Sequence, residues 1–245
     1  MSPSVALSLK DLKLPAFLRH YQALQEHAVA HGWSHGRYLE ARAEKEVADR
    51  YQKRVQRWTR EAELPTGKSF ATLNPALLEP ATQQKILHLR EQTDWARRAD
   101  NVVLIGPSGV GKTHIAAALG LHLVEQGLRV KAFSATALVQ SLQQARRDLD
   151  LMTAMTRLDK YRVLIIDDIG YVKKTDAETQ VLFEFIAHRY ESGSLIITAN
   201  QPFSQWDAIF PDSIMTVAAI DRLIHHASII EIEGESYRKT QQMKR

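Results

Sequence analysis

The sequence predicts an α/β fold, a doubly wound domain with a mostly parallel central sheet, preceded by a smaller helical part. Two observations carry this. Five short β-rich apolar runs, at residues 102–105, 130–133, 163–166, 195–198 and 228–232, alternate with helical patterns. The runs 102–105 and 163–166 are continuously apolar rather than alternating, as strands buried on both faces are. The second observation is the octet Gly106-Pro107-Ser108-Gly109-Val110-Gly111-Lys112-Thr113, which lies between the first run and an alanine- and leucine-rich helix predicted from about Lys112 to Glu125.

The elements follow in order. Leu14, Phe17, Leu18, Tyr21 and Leu24 recur at helical spacing, with Pro15 tolerated in a first turn, and His31-Gly32 breaks that helix. From about Ser34 to Leu64 there is no glycine after Gly36 and no proline before Pro65, so a second, longer helix is expected. Val47, Tyr51, Val55, Trp58 and Ala62 form its apolar stripe, and Pro65-Thr66-Gly67 ends it. The stretch Ser69 to Glu79, with Asn74-Pro75 and then Pro80, is turn-rich. The expected organisation is therefore a helical domain over 1–66, a linker over 67–80 and the α/β domain over 81–245.

A chain of 245 residues suffices for one α/β domain and an appendage. There is no cysteine, which excludes disulfides, thiolate nucleophiles and cysteine-ligated zinc. No apolar run approaches the roughly 18 residues that span a bilayer, and Met1 to Lys10 lacks a signal-peptide core, so a cytoplasmic protein without a membrane segment is expected. The formal charge of +4 permits a polyanionic partner without demanding one. The ten histidines show no metal-ligand spacing, and His225-His226, on a helix expected from about Ser213 to His226, reads as structural or interfacial.

The octet matches G-x-x-x-x-G-K-[ST], the phosphate loop, in the strand–loop–helix context its chemistry requires. Its glycines let backbone N–H groups wrap a phosphate, and the helix N-terminus adds partial positive charge. Lys112 would reach the β- and γ-phosphates of a nucleoside triphosphate, and the Thr113 hydroxyl would ligate magnesium. The run 163–166 delivers Asp167 and Asp168 at its carboxyl end, where open α/β sheets bind ligands. Asp167 would hold the magnesium shell and Asp168 would orient or deprotonate a water. Asn200, after the run 195–198, reads either as a turn residue before Gln201-Pro202 or as an amide holding the attacking water.

Arg50, Lys53, Arg54, Arg57 and Arg60 form a basic stripe with no acid inside the window, centred away from the apolar stripe. It reads either as a solvated helix face or as a surface for DNA phosphates. Arg146-Arg147 and Lys173-Lys174 are weaker basic spots of the same kind.

The order GPSGVGKT, VLIIDDIG, LIITANQPFSQW and AAIDRLIHHASIIEIEGESYR resembles the IstB-like ATP-binding proteins, over essentially the whole chain and most strongly from Asn101 to Arg238. These transposition helpers are AAA+ ATPases related to the helicase loader DnaC and the initiator DnaA. The resemblance implies a P-loop NTPase core with a five-stranded parallel sheet, in which the strand before Asn200 lies between the two strands that precede Gly106 and Asp167. It implies ATP and Mg2+ as cofactors, Asn200 as the sensor-1 residue, Arg222 as an arginine finger acting on a neighbouring subunit, and Lys112 and Asp168 as catalytic groups. The implied partners are double-stranded DNA bound with weak sequence selectivity, a cognate transposase and further copies of the chain. A DnaC-like loader of a replicative helicase is the alternative. The chain also departs from the family pattern. Asp168 stands where many AAA+ ATPases have glutamate, which implies slow hydrolysis, and Ala41 and Ala43 occupy an often leucine-rich stretch. The 12 residues after Glu233 are too few for a C-terminal helical lid, leaving Arg238 as a candidate for phosphate contact.

Overall fold

The computed structural model describes residues 3–170, 175–208 and 213–234 and divides the chain into two compact units, Met1–Arg57 and Trp58–Arg245. Lys173-Lys174 and Arg238 lie outside the described residues. Among these, no helix is long and apolar enough to cross a membrane.

The first unit contains α1 (Pro3–Asp11), α2 (Pro15–Arg19), α3 (Tyr21–Ala30) and most of α4, which runs His35–Ala62 through the division. The periodicity from Leu14 predicts one helix where there are two, because the backbone leaves the helical region at His20 (φ −99°, ψ 9°). The bend lets Phe17 and Tyr21 both set their rings 4.8 Å from the Arg42 guanidinium, a paired cation–π contact. Arg42 also donates to the Tyr38 hydroxyl and the Phe17 carbonyl.

The apolar stripe expected to pack α4 does not do so along its whole length. Val47 is 67% exposed and Tyr51 37%, whereas Ala41, Arg42 and Glu46 are buried. The cause is a helix end: α2 has no side-chain cap of its own, so its first N–H groups need an acceptor. Glu46 supplies it, accepting from Ala16 N at 2.8 Å and Phe17 N at 3.4 Å. Glu63 in the left-handed region (φ 50°) ends α4 just before Pro65.

In the second unit, α5 (Pro80–Glu91) and α6 (Asp94–Arg98) precede the α/β core. That core runs β1 (Asn101–Ile105), α7 (Lys112–Glu125), β2 (Val130–Ser134), α8 (Ala135–Arg147), α9 (Leu151–Leu158), β3 (Val163–Asp167), α10 (Asp176–Arg189), β4 (Ser194–Ala199), α11 (Ser213–Ile224) and β5 (Ala227–Glu231). Each strand lies within one residue of the run that announced it. All neighbours pair in parallel in the order β2-β3-β4-β1-β5. The strand before Asn200 thus lies between those preceding Gly106 and Asp167, with Val102 to Ile105 facing Ile196 to Ala199.

Residues 102–105 and 163–166 are buried throughout, as their unbroken apolar character requires. One helical glycine has a packing reason. A Cβ on Gly120 of α7 would stand 2.7 Å from Ile165 Cδ1, so its absence lets the helix that begins at the phosphate loop lie close on the sheet. The expected helix 213–226 ends two residues early, and His225 and His226 occupy the turn before β5.

Candidate functional site

β1 runs straight into the glycine loop, and α7 starts on the lysine that ends it. Gly106, Gly109 and Gly111 have φ of 154°, 90° and 104°, conformations that side-chain-bearing residues adopt with strain. At Gly106 space forbids a side chain as well, since a Cβ would lie 2.2 Å from the Ile232 carbonyl oxygen. Lys112 is 5% exposed, and its ammonium donates to the Gly106 and Pro107 carbonyls, each at 2.7 Å.

The carboxyl ends of β3 and β4 complete the site. The Asp167 carboxylate accepts from the Thr113 hydroxyl at 3.0 and 3.1 Å and from the Thr198 hydroxyl at 2.6 Å. Asp168 sits in the left-handed region (φ 59°), which an aspartate tolerates better than most residues. Thr198 holds it there: its hydroxyl accepts from Asp168 N at 2.8 Å and its carbonyl from Ile169 N at 3.0 Å. Asn200 Nδ2 points to Asp168 Oδ1 at 3.4 Å. Thr198 is the penultimate residue of β4 and Asn200 follows its end directly, so both stand at the carboxyl edge of the sheet beside Asp167 and Asp168.

A cleft of about 500 Å3 opens on these groups, lined by Ser108 to Thr113, Asp168 and Asn200 on the sheet side. Its other wall comes from the stretch expected to serve as a linker, through Lys68, Thr72, Leu73, Asn74, Leu77 and Leu78. His114, next after the phosphate loop, bonds that stretch through Nε2 to Ser69 O (2.9 Å) and Thr72 Oγ1 (3.2 Å). Loop amides on one side and leucines on the other suit a ligand with a phosphate end and a flat apolar end. Sequence reasoning missed this wall and Thr198. The wall has no local signature, whereas Thr198 could have been found as the hydroxyl at the carboxyl end of the apolar run that precedes Asn200.

Other expected residues lie elsewhere. Arg222 does not line the cleft; its guanidinium donates to Ala218 O at 2.9 Å and lies 5.3 Å from the Phe183 ring centroid. In the basic stripe, Arg50 is bound to Glu46 at 2.8 Å and to the Lys13 carbonyl at 2.6 Å, and Lys53 to Asp49 at 2.9 Å. Each acid stands one turn before its own partner and just outside the basic window, so the window itself contains no acid. Burial pushes the Glu46 carboxyl up, but hydrogen bonds from Arg50, Ala16 and Phe17 outweigh it and hold it below the ordinary value. Arg54, Arg57 and Arg60 are exposed, with Arg54 5.3 Å from the Tyr51 ring. Arg146 is ion-paired with Glu184.

A glycine loop between β1 and α7, with carboxylates and an amide at the ends of β3 and β4, defines a P-loop nucleotide-binding protein of the AAA+ type. The chain belongs to the family of IstB-like ATP-binding proteins, whose profile matches residues 7–245. It is 44% identical over 240 residues to an insertion-sequence ATP-binding protein of Sinorhizobium fredii, covering 98% of this chain and 80% of that one. A Pseudomonas aeruginosa insertion-sequence ATP-binding protein is 32% identical over 236 residues, covering 96% and 89%. Among solved structures, the DnaC helicase loader shares the fold with a TM-score of 0.56 at 19% identity, covering 69% of this chain and 98% of that one.

Proposed function

We propose that this chain is an ATP-hydrolysing switch that assembles on double-stranded DNA and assists a partner transposase during insertion of a mobile element. The observation that carries the reading is the convergence of Lys112, Thr113, Asp168 and Asn200 on one cleft, with Asp167 directly behind Thr113. The Thr113 hydroxyl and the Asp167 carboxylate are hard oxygen donors side by side, which suits magnesium, whose charge would offset that of the phosphates. Lys112 exchanges its loop carbonyls for the β- and γ-phosphate oxygens. Asn200 and Asp168 orient the attacking water, and Asp168 accepts its proton. Thr198 keeps both aspartates aimed.

Arg222, outside the cleft of its own chain, serves a neighbouring copy, so turnover requires assembly. The exposed Arg54, Arg57 and Arg60 contact DNA phosphates without reading bases. The relatives named for insertion sequences match at 44% and 32% over nearly the whole chain, which supports transposition over helicase loading.

The test is phosphate release from ATP with Mg2+, with and without double-stranded DNA. Wild type should turn over slowly and faster with DNA, and Asp168→Asn should bind ATP and stop. Mixing Lys112→Ala with Arg222→Ala, each inactive alone, should restore part of the activity by pairing an intact loop with an intact arginine. Absence of any turnover in wild type with DNA and a transposase from the same element would overturn the enzymatic reading.

A further inference from the structure

The turns that follow α10 and α11 bring Glu191, His225 and His226 together at the amino ends of the strands, the opposite rim of the sheet from the nucleotide cleft. One carboxylate oxygen and two imidazole nitrogens lie within 4.8 Å of one another, and no other three-residue set of this kind occurs among the described residues. All three side chains are exposed, so water and ions reach them.

Two further features prepare the cluster for a cation. The Tyr190 hydroxyl lies 2.9 Å from His225 Nδ1 and orients the ring; in the tautomer with the proton on Nδ1, donated to the Tyr190 oxygen, Nε2 is free to ligate. The carboxyl ends of two helices, of 14 and 12 residues, also converge here, and helix carboxyl ends carry partial negative charge. The His226 carbonyl accepts from Asn101 N at 2.6 Å, which ties the turn to β1.

We propose that Glu191, His225 and His226 form a site for a borderline divalent cation of the zinc type, with the remaining coordination positions filled by water. Two imidazoles and one carboxylate with an open position are a donor set used by zinc, and imidazole donors favour zinc, nickel or copper over magnesium. The site is thus chemically distinct from the oxygen donors Thr113 and Asp167. A bound cation fastens the end of α10 to the end of α11. Arg222 stands on α11 one turn before His226, with its guanidinium over Phe183 of α10. If Arg222 acts as proposed above, the cation steadies the helix that presents it; the site itself does not depend on that reading.

The full chain without a polyhistidine tag, free of nucleotide and in excess Mg2+, is titrated with Co2+ and followed by visible absorption, then challenged with Zn2+. The expected result is saturation at one Co2+ per chain, displacement by Zn2+, and a Zn2+-dependent rise in Tm. His225→Ala and Glu191→Gln should each weaken binding at least tenfold and abolish the Tm rise, and Tyr190→Phe should weaken it by about tenfold. Circular dichroism establishes that each variant is folded. Lack of saturable Co2+ binding, or binding that survives the double change His225→Ala and His226→Ala, overturns the proposal. So does binding lost instead with His27→Ala, since His27 and His31 stack at 4.0 Å and are the competing pair.

Discussion

Thr198 and Asp167 are joined by a 2.6 Å hydrogen bond, and the same threonine hydroxyl accepts the Asp168 N–H at 2.8 Å. One fully buried side chain on β4 therefore aims both aspartates at the end of β3.

Thr198→Val keeps the shape and removes the hydroxyl, leaving the Asp168 N–H without that acceptor. We expect kcat to fall by about 10–100-fold, as when an outer partner of a metal ligand is lost, and the Mg2+ requirement to rise. KM for ATP should change much less, and Thr198→Ser should recover most of the loss. Steady-state kinetics at varied Mg2+ decides this, and equal loss in the valine and serine variants would refute it.

Gly106→Ala places a methyl group where the Ile232 carbonyl now stands and forces a strained φ. The variant should lose ATP affinity and unfold several degrees lower, since β5 must move away from β1. Differential scanning calorimetry with and without ATP measures both effects.

Glu46 gives the N-terminal unit a pH dependence of defined sign. Its folded pKa is lowered, so its contribution is present above the ordinary carboxylate value and is lost as pH falls through the folded value. Glu46→Ala should cost about 1–2 kcal/mol at neutral pH, as loss of a helix N-cap does, and should flatten the acid limb. Urea denaturation between neutral and acidic pH tests it.

The basic residues of α4 should separate into two classes. Replacing the exposed Arg54 and Arg57 with glutamine should reduce the slope of log affinity for duplex DNA against log salt by roughly 2, near 0.9 per lost contact. Replacing Arg50 should lower stability instead, because it bonds Glu46 and the Lys13 carbonyl. Filter binding at several salt concentrations, with thermal melts, distinguishes them.

The strands, the phosphate loop and its helix were legible in the sequence because each is a local signal. A parallel strand buried on both faces must be apolar throughout, and a backbone that wraps phosphate must have glycine where φ is positive. The placement of Asp167, Asp168 and Asn200 at strand carboxyl ends was legible for a related reason, since each ends or closely follows an apolar run. What only the tertiary structure decided depends on partners remote in the chain. Thr198 matters because β4 lies beside β3, and residues 68–78 become a wall because His114 bonds them. Arg50 became a structural cation because it holds Glu46, which caps a helix end thirty residues before that glutamate. The Glu191, His225 and His226 cluster exists because two helices end at the same rim. Nothing in the spacing of those residues announces such meetings, because they are made by the packing of elements and not by the chain between them.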